Sequence, residues 1–245
     1  MFECLRPYML TKERGALPGA PRYSGPRTSA APRRADTPPT DPAAGLEFFS
    51  PGGKDPLFWC FQIGRGECFD PELPESRGFQ REQELKADAV EHLRKAVDAT
   101  TAGARKKLAA AESELSARPF TRGHGLCALA KAYSVRLLYV SGRTCCRMGP
   151  EGGPVTAIIR RIGSRNSRRH EVLAGPEADK EATRIMADLW CIESWEKPIR
   201  SIGAYTVGVL RGMASKAGLA VTDAEGRPLR KAGLHAALIS IARQN

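Results

Sequence analysis

The residues whose types and spacing most clearly suggest a binding function are cations concentrated near the C-terminal end of this sequence. Residues 197–245 hold eight Lys or Arg against only Asp223 and Glu225, a surplus of +6 within a total formal charge of +11. Clustered cations attract polyanions, and each phosphate that they neutralise releases condensed counterions. We therefore expect phosphate contacts from seven side chains: Lys197, Arg200, Arg211, Lys216, Arg227, Arg230 and Lys231. The alternative is that these charges only keep a small interaction module in solution.

A second basic cluster lies at the turn between two predicted strands, and it contains Arg160, Arg161, Arg165, Arg168 and Arg169. Arginines at such a turn can reach out together and bind phosphate. Charged residues on edge strands also protect a sheet against aggregation. The sequence leaves both interpretations open, and we include Arg160, Arg165, Arg168 and Arg169 among the candidate nucleic-acid contacts.

The composition narrows the class of protein. Lys and Arg number 38 against 27 Asp and Glu, which excludes an acidic scaffold and favours polyanionic partners, nucleic acid first. No stretch approaches eighteen consecutive apolar residues, so we expect no membrane partner. The N-terminal residues do not resemble a secretory signal. We therefore expect an intracellular protein.

The cysteines predict free thiols. There are seven of them, an odd number, which is typical of a reducing compartment. Cys145 and Cys146 are adjacent, so on a strand they point to opposite faces and do not easily share one metal ion. No phosphate-binding glycine motif is present. We expect no metal site and no cofactor.

The chain divides into three predicted parts. Residues 1–45 are rich in proline and arginine, a composition that predicts a disordered arm. Residues 46–196 form the main folded part. The aromatic run 56–61 lies near its start, where Asp55 is suited to cap a helix and Pro56 to begin it. That run is expected to be buried or to bind a protein partner. Residues 197–245 form a separate module.

The periodicity of 46–196 predicts an α+β fold, with helices plus a small antiparallel sheet. Leu85, Ala89 and Leu93 recur at helical spacing within 80–99, with Glu82, Lys86, Glu91 and Lys95 on the opposite side. Four short β-rich segments follow, separated by glycine-containing turns, and they predict a meander of three or four strands. These segments are 135–140, 144–148, 155–162 and 168–173, with 155–162 as the inner strand. A further helix is predicted at about 177–189.

The module at 197–245 predicts two short helices, the first capped by Thr206 and ended by Gly218. The run Val209–Leu219, a polar loop and the run Arg230–Ile239 resemble the SAP motif and the related N-terminal helical module of Rho-type transcription terminators. That resemblance implies binding of DNA or RNA through helix N-termini and basic side chains. The loop departs from the pattern, because Asp223 and Glu225 precede its basic residues.

Most of the chain after the arm is also similar to a family of proteins from large double-stranded DNA viruses of algae and protists. The segments that carry this similarity are Phe58–Phe61, Leu126–Ala130, Val135–Val140 and Lys197–Tyr205. The family has no assigned reaction. The resemblance implies a viral, DNA-proximal protein, and with it DNA more than RNA as the partner. It also implies a place in the host nucleus or a cytoplasmic replication site, or in the virion.

The same order of elements resembles papain-like peptidases of the ovarian-tumour type. That resemblance implies Cys60 as the nucleophile and His170, on the last predicted strand, as the base. The usual Asp-Gly-x-x-Cys approach is absent, and no third residue to orient His170 is evident. We therefore favour a non-enzymatic, largely sequence-independent nucleic-acid-binding protein. The alternatives are this peptidase and a structural virion protein that associates through the aromatic patch 57–61 without binding nucleic acid.

Overall fold

A computed structural model describes residues 47–242, except residues 71, 73, 98, 99, 119, 164–168 and 224. The predicted arm at 1–45 lies outside the described residues. The described part has an α+β fold, as the sequence predicts, and none of its helices is long and apolar enough to cross a membrane. Its helices are α1 (Pro56–Gly64), α2 (Glu75–Ala96), α3 (Ala102–Ser116), α4 (Gly123–Ala132), α5 (Glu177–Asp188), α6 (Val207–Lys216) and α7 (Lys231–Ala242), with a 3₁₀ turn at Ile202–Ala204. Its strands are β1 (Leu137–Ser141), β2 (Thr144–Met148), β3 (Ala157–Ile162), β4 (Arg169–Ala174) and β5 (Trp190–Ile192).

The strands form one mixed sheet in the order β4-β3-β1-β2-β5. The pairs β1–β2 and β3–β4 are antiparallel, as expected of a meander. The pairs β1–β3 and β2–β5 are parallel, which differs from the wholly antiparallel sheet that we expected. The β1–β3 pair is parallel because the chain after β2 crosses the start of β1 instead of turning back beside β2. The β2–β5 pair is parallel because α5 carries the chain from β4 to the opposite edge of the sheet. β3 lies inside the sheet, as its apolar residues on both faces predict.

The crossing after β2 depends on Gly149. Its φ of 105° is a conformation that residues with a side chain rarely adopt. A Cβ atom there would lie 2.1 Å from the carbonyl oxygen of Val135. The chain then returns to the sheet at Thr156, whose N–H donates to the carbonyl of Arg136 at 2.9 Å. This contact aligns β3 beside β1.

The sheet separates two apolar layers. The larger layer contains Cys146 and Ile159 and packs against α1 to α4, α6 and α7. The smaller layer contains Cys145 and Ile158 and packs against α5. Because successive residues of a strand face opposite sides, the predicted opposite orientation of the two adjacent cysteines is confirmed.

Helix α1 lies inside the larger layer. The carboxylate of Asp55 accepts the N–H of Phe58 at 3.1 Å, and Pro56 occupies the first helical position, both as predicted. Every residue of 57–61 is at most 5% exposed. The predicted protein-binding patch at 57–61 is therefore wrong, because these side chains fill the core of their own chain.

Helix α2 carries two charged residues into the core. Leu85 is buried as predicted, but Glu82 and Lys86, which the periodicity places on the solvent side, are only 1% and 2% exposed. The Lys86 ammonium lies 2.8 Å from the carboxylate of Asp55 and 3.2 Å from that of Glu82. A buried charge is tolerated when it is paired, and this lysine is shared by two carboxylates.

Both carboxylates also accept hydrogen bonds from other groups. Thr121 donates its N–H and its hydroxyl to Asp55, at 2.6 and 2.8 Å. The indole N–H of Trp59 donates to Glu82 at 3.0 Å. The network therefore joins α1, α2 and the segment before α4 through buried polar contacts.

The two C-terminal helices share the larger layer with the sheet. Leu210 of α6 and Leu234 and Leu238 of α7 are fully buried, in one apolar cluster with Ile192 of β5. The two-helix arrangement agrees with the predicted C-terminal module. The domain boundary at 196/197 stays a prediction.

Candidate nucleic-acid interface

Helix α6 has defined ends. The side chain of Thr206 accepts a backbone N–H at 3.3 Å, which confirms the predicted N-cap. Gly218 has a φ of 69°, its N–H donates to Ser215 at 2.9 Å, and the N–H of Leu219 donates to Ala214 at 2.8 Å. This pair of bonds is the Schellman motif. Gly218 therefore ends α6 as predicted and turns the chain into the loop.

The loop between α6 and α7 is organised by Asp223. One of its carboxylate oxygens accepts the N–H groups of Glu225 and Arg227, at 3.1 and 2.8 Å. The guanidinium of Arg227 donates to Asp223 at 3.0 Å and to Glu225 at 2.7 Å. The acidic residues that depart from the SAP pattern thus hold the loop together and neutralise one of its cations.

Two of the seven candidate cations are paired with carboxylates. Arg227 is held by Asp223 and Glu225, and these acceptors raise its pKa. Arg200 lies 2.6 Å from Glu193. A guanidinium in such a contact has to exchange one anion for another when it binds phosphate. Arg200 and Arg227 are therefore the weaker members of the predicted set.

The other five candidates have no carboxylate partner among the residues that the structure describes. These are Lys197, Arg211, Lys216, Arg230 and Lys231. Four of them are exposed, and Lys231 is half-buried. The carbonyl of Arg230 accepts the N–H of Leu234 at 3.1 Å, so Arg230 and Lys231 stand at the beginning of α7. No acidic residue occupies the first turn of that helix.

The second basic cluster is only partly described. Arg165 and Arg168 lie outside the described residues. Arg160 pairs with Glu171 at 2.8 Å, and its guanidinium lies 4.0 Å from the centre of the Phe48 ring. Arg169 is exposed at the start of β4. Arg160 therefore has a role in holding β3 to its surroundings, and phosphate contact by this cluster stays a prediction.

The alternative catalytic pair is placed in the core. Cys60 is fully buried, and burial, followed by the nearby charge of Asp55, raises the pKa of its thiol. His170 lies on β4, is 7% exposed, and its Nε2 is 3.4 Å from the hydroxyl of Tyr139. Nucleophilic cysteines need a stabilised thiolate and access to substrate. Cys60 has neither, so its environment is that of a core cysteine.

A groove beside the C-terminal helices contains residues that sequence reasoning did not single out as a group. Its volume is about 440 Å³, and it is lined in part by His124, Trp195, Lys197 and Ile239. These residues come from three segments that are distant in sequence, so no local spacing predicts the groove. The glycine at position 123 is one local feature that the structure explains: a Cβ atom there would lie 1.9 Å from the indole of Trp195.

Comparisons of this chain with protein families, with curated proteins and with solved structures find no match.

Proposed function

We propose that this protein binds nucleic acid through α6, α7 and the segment before them. The observation that carries the proposal is the set of five cations in 197–231 that have no carboxylate partner among the described residues. The order of helix, Gly-Leu stop, loop and helix supports a SAP-like role for the module. DNA is the proposed ligand and the role is non-enzymatic; the proposed viral setting is supported by the sequence resemblance.

The start of α7 is the centre of the proposed contact. Backbone N–H groups at a helix N-terminus favour anions. Arg230 and Lys231 add two full positive charges there, and the first turn contains no carboxylate to offset them. Contacts of this kind reach phosphate and sugar rather than base edges, so binding is expected to be largely independent of sequence.

The test is a double charge reversal at the start of α7. We expect Arg230→Glu with Lys231→Glu to weaken binding to duplex DNA by about tenfold or more, equally on unrelated sequences. Loss of two phosphate contacts also reduces the slope of log K against log salt by about 1.8. Fluorescence anisotropy with two unrelated duplexes, at several salt concentrations, measures both quantities.

The matched control is Arg105→Glu with Lys106→Glu. These residues form the same dipeptide, are exposed, and lie near the start of α3, outside α6, α7 and the segment before them. The control changes net charge by the same amount, so it isolates the effect of position. Equal weakening by both variants, or a salt slope unchanged by the reversal in α7, would show that the proposed surface does not hold the DNA.

A further inference from the structure

Cys145 and Cys191 form a pair of thiols on neighbouring strands. They are partners in the register of the parallel strands β2 and β5. Partner residues on parallel strands point to the same face, and both cysteines pack in the smaller apolar layer under α5. Paired strands lie about 4.8 Å apart, which is within the range of Cα separations that a disulfide spans. Both are free thiols in this structure.

The two thiols differ in their surroundings. Cys145 is 2% exposed, whereas Cys191 is half-buried on the edge strand β5. A hydrogen bond from the thiol of Cys145, with help from the charges of Arg147 and Lys216 and the N–H of Arg147, lowers the pKa of Cys191. The same contact raises the pKa of Cys145. Cys191 is therefore the more accessible and the more nucleophilic partner.

We propose that Cys191 and Cys145 are a peroxide-reactive dithiol that forms an intramolecular disulfide between β5 and β2. In the first step the Cys191 thiolate attacks one oxygen of hydrogen peroxide. The O–O bond breaks, Cys191 becomes a sulfenic acid, and the departing hydroxide takes a proton to become water. In the second step the sulfur of Cys145 attacks the sulfur of Cys191. The S–S bond forms, and the sulfenic hydroxyl leaves as water with the proton of Cys145.

The disulfide has a defined structural consequence. β5 is only three residues long and forms one edge of the sheet. It leads directly to Glu193, which binds Arg200 at 2.6 Å and the hydroxyl of Tyr205 at 3.3 Å. A covalent bond from β2 to β5 therefore fixes the strand from which the chain enters the C-terminal helices. The covalent change is reversible, because a dithiol reductant restores both cysteines.

The experiment counts thiols in the full-length protein. After treatment with hydrogen peroxide, the unfolded protein is alkylated and its mass is measured. We expect the number of alkylated cysteines to fall from seven to five and to return to seven after a dithiol reductant. Peptide mapping should identify a crosslink between the peptide of β2 and the peptide of Cys191.

Two variants identify the cysteine of β2 that reacts. Cys145 and Cys146 share a tryptic peptide, because Arg143 and Arg147 flank them. Cys146→Ser should keep the crosslink, since Cys146 faces the other layer. Cys145→Ala should abolish it and leave a Cys191 sulfenic acid that dimedone traps.

Either of two outcomes overturns the proposal. One is a crosslink that persists in Cys145→Ala or disappears in Cys146→Ser. The other is full alkylation of Cys145 and Cys191 in the unsubstituted protein, at a peroxide concentration that already oxidises the exposed Cys68. The second outcome needs no variant, so it stands even where a substitution impairs folding.

Discussion

At the scale of single residues, burial and pairing decide what each charged side chain does. Lys86 and Lys95 belong to the same helix, and each pairs with a glutamate four residues earlier. The side chain of Lys86 is 3% exposed and neutralises carboxylates in the core, whereas that of Lys95 is 72% exposed and forms an ion pair on the surface. Pairing, not burial, separates two other exposed cations: Arg227 is held by two carboxylates, whereas Arg230 has no carboxylate partner among the described residues. Residue type alone therefore does not tell whether a cation stabilises the fold or is available to bind a ligand.

The buried network makes a strong prediction for stability. Lys86→Met leaves the carboxylates of Asp55 and Glu82 buried without their shared cation. Removing one partner from a buried ion pair costs about 3–5 kcal/mol, because the remaining charge loses its compensation. Urea unfolding should show a decrease of that size in the free energy of unfolding. Lys95→Met is the control, and its unfolding curve should overlay that of the unsubstituted protein.

At the scale of elements, the sequence predicted the helix ends and strands that depend on interactions between residues close in the chain. Capping residues and hydrophobic spacing located the start of α1, both ends of α6 and four of the five strands. β5 was missed because three residues are too few for a period-two pattern to appear. The parallel pairs were missed because they depend on long connections: the crossing at Gly149 places β3 beside β1, and α5 carries the chain from β4 to β5 at the opposite edge. The burial of Glu82 was missed for the same reason, since its partners lie at Asp55 and Trp59.

The end of α6 offers a test with opposite outcomes at two glycines. Gly218 has a φ of 69°, and a Cβ atom there would lie 2.6 Å from the Arg143 side chain. Gly218→Ala should destabilise the protein by about 1–2 kcal/mol, because a side chain disfavours the left-handed conformation. Gly212 lies within the same helix with open space around it. Gly212→Ala should therefore stabilise the protein by up to about 1 kcal/mol. Thermal unfolding measures both, and destabilisation at both glycines would contradict this account of the C-cap.

At the scale of the whole molecule, the candidate interface is built on the same core as the sheet. The seven candidate cations of the C-terminal segment were identified from the sequence because charge density is visible without a structure. Which of them have a carboxylate partner among the described residues was not predicted, because it depends on Glu193 of the preceding segment and on the fold of the loop. Arg143, in the turn between β1 and β2, donates to the carbonyl of Lys216 at 3.1 Å. The sheet thus supports the helix that carries two of the proposed contacts.

A shared core implies cooperative unfolding, which two probes can test. Trp59 and Trp190 are buried in the α+β part. In a Trp195→Phe background, which removes the tryptophan that lines the groove beside α7, fluorescence therefore reports the α+β part, while far-UV circular dichroism reports every helix. Leu210 is fully buried in α6, and its neighbour Val209 is 47% exposed. Leu210→Ala should lower the free energy of unfolding by about 2–5 kcal/mol, because it leaves a cavity in the common core. The unfolding transition should shift equally for both probes. Val209→Ala should change stability by less than about 0.5 kcal/mol. If Leu210→Ala instead shifted only part of the dichroism signal and left the tryptophan transition unchanged, α6 and α7 would be an independent domain beginning near 197.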